Sequence, residues 1–157
     1  MNLSFIGTGY VGLVSATAFA EMGNQVTCVD IDPAKVARLK SGKPTIYEPG
    51  LEDLFERNIR ENRLHFTCNL QEAVQNSTFI FLTLPTPPQE DGSADLSYVM
   101  NVVSQLADMI RDTYRVIITK STVPVGTASK LHNLLESKGL RAGQHFDVVS
   151  NPEFLRE

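Results

Sequence analysis

The strongest constraint on the fold lies in the opening segment MNLSFIGTGYVG, where Gly7, Gly9 and Gly12 follow an apolar run with GxGxxG spacing. Glycines alone can be turn punctuation. Here the run LSFI reads as a short buried strand, and YVGLVSATAFAEMG reads as a helix closed by Gly23. A second apolar strand, QVTCVDID, brings Asp30 to its end, about twenty residues past the glycines. In such a unit the first glycine permits a tight turn, the second lets a pyrophosphate approach the backbone, and the third lets the helix pack closely on the sheet. The helix start then offers unpaired N–H groups and a positive dipole end to phosphate, while the acid accepts from a ribose hydroxyl pair.

The alternation continues to the end of the chain. PAKVARLKSG reads as a helix with Pro33 in its first turn and Gly42 past its end, and LEDLFERNIRENR as an amphipathic surface helix with Leu51, Leu54, Phe55 and Ile59 inward. LHFTC is a third strand, NLQEAVQN a short helix capped by Asn69, and TFIFLTLP a fourth strand stopped by prolines. A helix from Leu96 to Met109, a strand YRVIITK, a helix ending at Gly139 and a sixth strand FDVVS complete the pattern. Continuous apolar strands alternating with helices require crossovers, so the expected fold is α/β: a doubly wound, Rossmann-like, mostly parallel six-stranded sheet with helices on both faces. Ligands in such sheets bind beyond the carboxyl ends of the strands, which here read GTGYVG, DID, LPTPP, KSTVPVG and SNPEFLRE.

The chain has 157 residues, 42% of them hydrophobic, which suits one domain with one sizeable core. Its net charge of −4 comes without any basic stripe, which argues against nucleic acid or an anionic membrane as partner. No apolar run approaches the roughly 20 residues of a membrane span, and the start lacks a cationic leader with an apolar core, so a cytoplasmic protein is expected. Cys28 and Cys68 lack CxxC spacing or a His cluster, so neither a metal site nor a disulfide framework is expected, and both thiols are expected reduced and mostly buried. His65, His132 and His145 are scattered and read as structural or exposed.

Asp30 favours NAD over NADP, because its charge repels a 2′-phosphate and no arginine follows it. Capping of the next helix falls to Asp32 by position. Lys35, one turn into that helix, is placed either to reach the adenosine end or to be solvated. Ser121 and Thr122, past the fifth strand, are either hydroxyls facing the nicotinamide half or a capping segment. Glu153 and Glu157 share a face if their segment is helical, suiting base catalysis or orientation of a water, with solvated surface acids as the alternative. Tyr10 and Tyr47 sit in turns where a phenol can face ligand or pack.

Taken together, FIGTGYVGL, VDID, IYEPGLEDL, KSTVPVGT and SNPEFLRE resemble the UDP-glucose/GDP-mannose dehydrogenase family in order and spacing, from one end of the chain to the other. IYEPGL, KSTVPVGT and NPEFLRE are most similar to the UDP-glucose 6-dehydrogenases within it. The resemblance implies oxidation of a sugar's primary alcohol, UDP-glucose to UDP-glucuronate, in two NAD-dependent steps through a thiohemiacetal and a thioester on a cysteine. It implies Gly7, Gly9, Tyr10, Val11 and Gly12 at the pyrophosphate, with Asp30 and Lys35 at the adenosine ribose. Thr122 matches a threonine positioning water and nicotinamide, Glu153 a glutamate implicated in thioester hydrolysis, and Glu157 a nicotinamide contact. Phe154 and Leu155 then border the sugar nucleotide.

Two departures from the family pattern stand out. Leu84, in TLPTPP, occupies a place where threonine is common, which leaves Thr86 to supply a hydroxyl. The family's nucleophilic cysteine, lysine and aspartate lie in later domains, and neither Cys28 nor Cys68 matches the nucleophile's motif. The resemblance therefore implies that residues 1–157 are the NAD-binding domain, with the central and C-terminal UDP-binding domains outside this chain. On that reading the fragment is an inactive monomer and the whole enzyme a homodimer or larger. Rival readings are another two-domain dehydrogenase, a GDP-mannose or UDP-N-acetylmannosamine enzyme, and a non-catalytic NAD-sensing module.

Overall fold

Each strand after the first is reached through a crossover, and the six strands pair in the order β3-β2-β1-β4-β5-β6, every pair parallel. In this computed structural model residues 1–153 are described. The elements in chain order are β1 (Asn2–Ile6), α1 (Tyr10–Glu21), β2 (Gln25–Val29), α2 (Pro33–Lys40), α3 (Leu51–Arg60), β3 (Leu64–Thr67), α4 (Leu70–Gln75), β4 (Phe79–Leu82), α5 (Ser97–Met109), β5 (Arg115–Thr119), α6 (Thr127–Ser137) and β6 (Phe146–Ser150). The sheet expected to be mostly parallel is parallel throughout, and the direction of winding reverses between β1 and β4, the switch point at which such sheets take a ligand.

Two apolar layers hold the sheet. On one face Leu3, Phe5, Val26, Cys28, Phe66 and Phe81 pack under α1, α2 and α3 through Leu13, Ala16, Leu39 and Phe55. Phe5 and Phe81, on neighbouring strands, stack with centroids 4.5 Å apart. The other face carries Ile6, Ile80, Leu82, Ile117 and Phe146 under α5 and α6, which contribute Val103, Leu106, Leu131 and Leu135. Each fully buried Leu, Ile, Val or Phe among them contributes about 2 kcal/mol of transfer free energy.

Local chemistry sets the helix starts that matter for the site. Asp32 caps α2 by accepting from Ala34 N at 2.9 Å and Lys35 N at 3.2 Å, with Pro33 at the first helical position and Arg38 and Lys40 in the last turn. Asn69 caps α4 through Glu72 N. The start of α1 is different: Gly9 caps it with no side-chain bond at all.

Strand ends are shorter than the apolar runs suggest. β4 stops at Leu82 although TFIFLTLP continues: Thr83 still donates its N–H to the Ile6 carbonyl at 3.0 Å, and its hydroxyl turns to the Ile6 and Gly7 carbonyls at the end of β1. Cys28 is buried in β2 as expected, whereas Cys68 is exposed: it lies just past the last residue of the edge strand β3, where no further strand covers it.

Candidate functional site: the carboxyl ends of the strands

The β1–α1 turn is shaped by two different glycine requirements. Gly7 sits at φ +106°, and a Cβ there would lie 2.5 Å from the Thr83 carbonyl oxygen. Gly12 carries no unusual φ, but a Cβ on it would lie 2.1 Å from the Gly7 oxygen and 2.7 Å from Thr83 Oγ1. The first turn of α1 is thereby pressed against the end of β4. Thr83, which the sequence pattern hides inside an apolar strand, locks this contact by donating to the Ile6 and Gly7 carbonyls at 3.0 and 2.8 Å. Its only signal was a polar residue in an otherwise apolar run.

Gly9 is the opposite case. A Cβ there meets nothing within 4 Å, and its φ of −69° is ordinary. No neighbour within the protein demands glycine, so open space stands directly over the backbone at the helix start. Among the described residues the amides of Gly9, Tyr10, Val11 and Gly12 find no protein acceptor, the first intrahelical bond running from Leu13 N to the Gly9 carbonyl. Four successive donors at the positive end of a helix, opening on unfilled space, form a cradle suited to a diphosphate. The Tyr10 phenol turns aside and donates to the Glu48 carboxylate in the α2–α3 loop, which raises its pKa.

Asp30, just past β2, lies beside this cradle. Its Oδ2 accepts from Thr8 Oγ1 at 2.5 Å, Thr8 N at 3.2 Å and Lys35 Nζ at 2.6 Å, and its Oδ1 accepts from Asp32 N at 3.2 Å. Burial pushes this carboxyl up, but the Lys35 hydrogen bond, the Thr8 hydroxyl, the Asp32 amide and the Lys35 charge outweigh it and hold the group below the usual range. Lys35, for which solvent was one of two readings, is thus engaged. Beyond Asp30, Ile31 projects with 90% of its surface exposed. A carboxylate with an apolar neighbour offers ribose hydroxyls an acceptor and a base a surface to lie on.

The other half of the crevice is built from the ends of β4, β5 and β6. Thr86 Oγ1 donates to the Thr122 carbonyl at 3.0 Å and Ser121 Oγ to the Leu84 carbonyl at 2.6 Å, so the two loops are tied together. Leu84, at the place where a threonine is common, packs against the core beneath α5 and α6. Thr122 is exposed and its hydroxyl reaches the Glu153 carbonyl at 3.5 Å. Glu153 Oε2 faces Lys120 Nζ at 3.7 Å, a partner not singled out from the sequence. Phe154, Leu155 and Glu157 lie outside the described residues.

The three histidines are engaged locally. His65 Nε2 contacts the Asn62 carbonyl, His132 stands 3.6 Å from Glu136 and edge-on to Phe146, and His145 Nδ1 accepts from Arg141 N. Tyr47 is 86% exposed. Among the described residues no helix is long and apolar enough to cross a membrane.

Comparison with known proteins places this geometry. The NAD binding domain of the UDP-glucose/GDP-mannose dehydrogenase family matches residues 1–157. The chain belongs to that family. As a UDP-glucose/GDP-mannose dehydrogenase NAD-binding domain it is 48% identical, over 99% of its length, to the UDP-glucose 6-dehydrogenase TuaD of Bacillus subtilis, of which it spans 33%. It is 47% identical over its whole length to the UDP-glucose 6-dehydrogenase of Pseudomonas aeruginosa, spanning 35% of that protein. In structure the domain superposes on a GDP-mannose dehydrogenase from P. aeruginosa, crystallised as a ternary complex, with a TM-score of 0.94 at 36% identity, covering 100% of this chain and 37% of the other. For a UDP-glucose dehydrogenase from Pyrobaculum islandicum the values are 0.89 and 42%, covering 99% and 36%. The NAD-binding domain thus spans about a third of the length of these relatives. NAD is its cofactor, and the unpaired amides at the start of α1 and the open space over Gly9 fit its diphosphate.

Proposed function

We propose that the chain is the NAD-holding domain, residues 1–157, of a nucleotide-sugar dehydrogenase that oxidises UDP-glucose to UDP-glucuronate in two NAD-dependent steps. Central and C-terminal domains that bind the UDP-sugar and carry the nucleophilic cysteine complete the enzyme, so this chain by itself turns over no substrate. The observation that carries the proposal is the pairing of an acceptor-free amide row, Gly9 to Gly12, with an acid held ready at Asp30. Its support as to substrate is the name shared by the relatives at 48% and 47% identity.

In this reading Gly7, Gly9, Tyr10, Val11 and Gly12 receive the diphosphate, and Asp30 with Lys35 receives the adenosine ribose. Thr86 and Thr122 border the nicotinamide, and Glu157 contacts it. Glu153 orients the water that releases the acid product, while Phe154 and Leu155 border the sugar nucleotide. The bound cofactor supplies the hydride acceptor. The protein's part is to hold that ring against the β4 and β5 ends and to keep a carboxylate within reach of a water. The proposed compartment is the cytoplasm, a reducing environment that suits Cys28 and the exposed Cys68 as free thiols. The isolated chain is proposed to be monomeric and the complete enzyme a homodimer or larger.

The higher TM-score to the GDP-mannose enzyme makes GDP-mannose the rival substrate. Assay of the complete enzyme with UDP-glucose, GDP-mannose and UDP-N-acetylmannosamine separates the readings. UDP-glucose is expected to yield about two NADH per sugar while the others yield little. Turnover of any of the three by this chain alone would overturn the half-site proposal. NAD binding with no turnover of any sugar by the complete protein would favour a sensing module.

A further inference from the structure

The ends of β5 and β6 are stitched at three points. Asn151 N donates to the Thr119 carbonyl at 3.0 Å, Thr122 Oγ1 donates to the Glu153 carbonyl at 3.5 Å, and Lys120 Nζ faces Glu153 Oε2 at 3.7 Å. The first two hold backbone, and they already place residue 153 beside Thr122. The third is between side chains, and holding the backbone does not require it.

Lys120 is an unusual lysine. Its side chain is 18% exposed and that of Glu153 16%, so protein covers most of the surface of both. Its backbone is fixed: Lys120 N and Ser121 N both donate to the Leu82 carbonyl, at 2.9 and 3.3 Å. The ammonium therefore projects from an anchored strand end. Among the described residues Glu153 is its only carboxylate partner, and Lys120 is the only cation at Glu153. A long, flexible cation is drawn toward a partly covered acid whose charge it compensates. At 3.7 Å the contact is an ion pair rather than a hydrogen bond, so among the described residues the carboxylate oxygens keep their capacity to accept.

We infer that Lys120 is a positioning residue for Glu153: its ammonium fixes the carboxylate electrostatically at the carboxyl ends of β5 and β6, leaving the carboxylate oxygens to hold a water or a substrate hydroxyl. The inference rests on the proposed role of Glu153 and extends it to a group on a different strand. Lys120 itself touches neither cofactor nor substrate in this assignment. Losing the ammonium frees the carboxylate to rotate and leaves it without a facing cation.

The test uses the complete enzyme with Lys120→Met, Lys120→Arg, Glu153→Gln and the Met/Gln double variant. Lys120→Met is expected to lower kcat about tenfold with the Kd for NAD unchanged, Lys120→Arg to restore most of it, and the double variant to be no slower than Glu153→Gln alone. Unfolding temperatures are measured alongside. If Lys120→Met keeps full kcat while Glu153→Gln loses it, the positioning role falls and the role of Glu153 stands. Full turnover by Glu153→Gln would remove the reading beneath both. If Lys120→Arg restores the unfolding temperature but not kcat, the pair is a structural clip and the inference is overturned.

Discussion

Thr8 Oγ1 donates to Asp30 Oδ2 at 2.5 Å across 22 residues of chain, tying the glycine turn after β1 to the acid after β2. The same oxygen takes Lys35 Nζ at 2.6 Å, so the acid is oriented before any ribose arrives. Preorganisation of this kind reduces the ordering cost of binding. Replacing Asp30 by Ala is expected to weaken NAD about tenfold or more, by loss of charge-assisted acceptors. Lys35 would then be free to face a 2′-phosphate, and the NAD-to-NADP preference should narrow. Paired titrations of wild type and Asp30→Ala with both cofactors check this, and an unchanged preference would mean that neither Asp30 nor Lys35 faces the ribose 2′ position.

The glycines of the turn should separate folding from binding. Gly12→Ala places a methyl 2.1 Å from a backbone oxygen, so about 3 kcal/mol of stability should be lost. Gly9→Ala meets only open space and should change stability by about 1 kcal/mol or less, while weakening NAD about tenfold or more by intruding on the diphosphate. Urea unfolding and calorimetric titration of the two variants measure the split.

Thr83→Val keeps shape but removes the hydroxyl that donates to the Ile6 and Gly7 carbonyls. A loss of about 1 to 2 kcal/mol is expected in the same unfolding experiment. Equal stability would show that the methyl packing, rather than the hydrogen bond, holds α1 against β4.

Asp30 also sets a pH dependence. Its folded value is depressed below its ordinary 3.8, so its contribution to stability is complete above about pH 5 and is lost as pH falls through the folded value. The stability gap between wild type and Asp30→Asn should therefore be constant from about pH 8 to 5 and shrink below about pH 4. Unfolding curves across that range test the sign. A gap that widens on acidification would mean that burial, which raises the value, dominates over the Lys35, Thr8 and Asp32 contacts.

The two thiols should behave differently. Cys28 is 0% exposed, and burial pushes its thiol far up, whereas Cys68 is exposed. A thiol reagent should label Cys68 readily in the native chain and reach Cys28 only on unfolding. Mass spectrometry of singly and doubly labelled protein reads this out.

The parallel sheet and the glycine turn at its carboxyl edge are legible because buried strands announce themselves as apolar runs and because that turn has a strand before it and an acid after it. Asp32 was legible as a cap by its position before Pro33. What was not legible was tertiary. Thr83 and Lys120 act on partners far away in the chain, at Gly7 and Glu153, and no local spacing signals such a pair. Lys35 could be placed on its helix but not oriented, since a lysine near a helix start is equally at home in solvent. Cys68 is exposed because β3 ends at Thr67, one residue earlier than the run LHFTC suggests, whereas Leu64, Phe66 and Thr67 within the strand are buried.

The most direct measurement is amide NMR of this chain titrated with NAD. The largest shifts are predicted for Thr8, Gly9, Tyr10, Val11 and Gly12, with Asp30 and Ile31 moving at the same concentration and the helix ends at the opposite edge of the sheet silent. Saturation with no movement at Gly9 to Gly12, or shifts confined to the amino ends of the strands, would contradict the placement of the diphosphate at the start of α1.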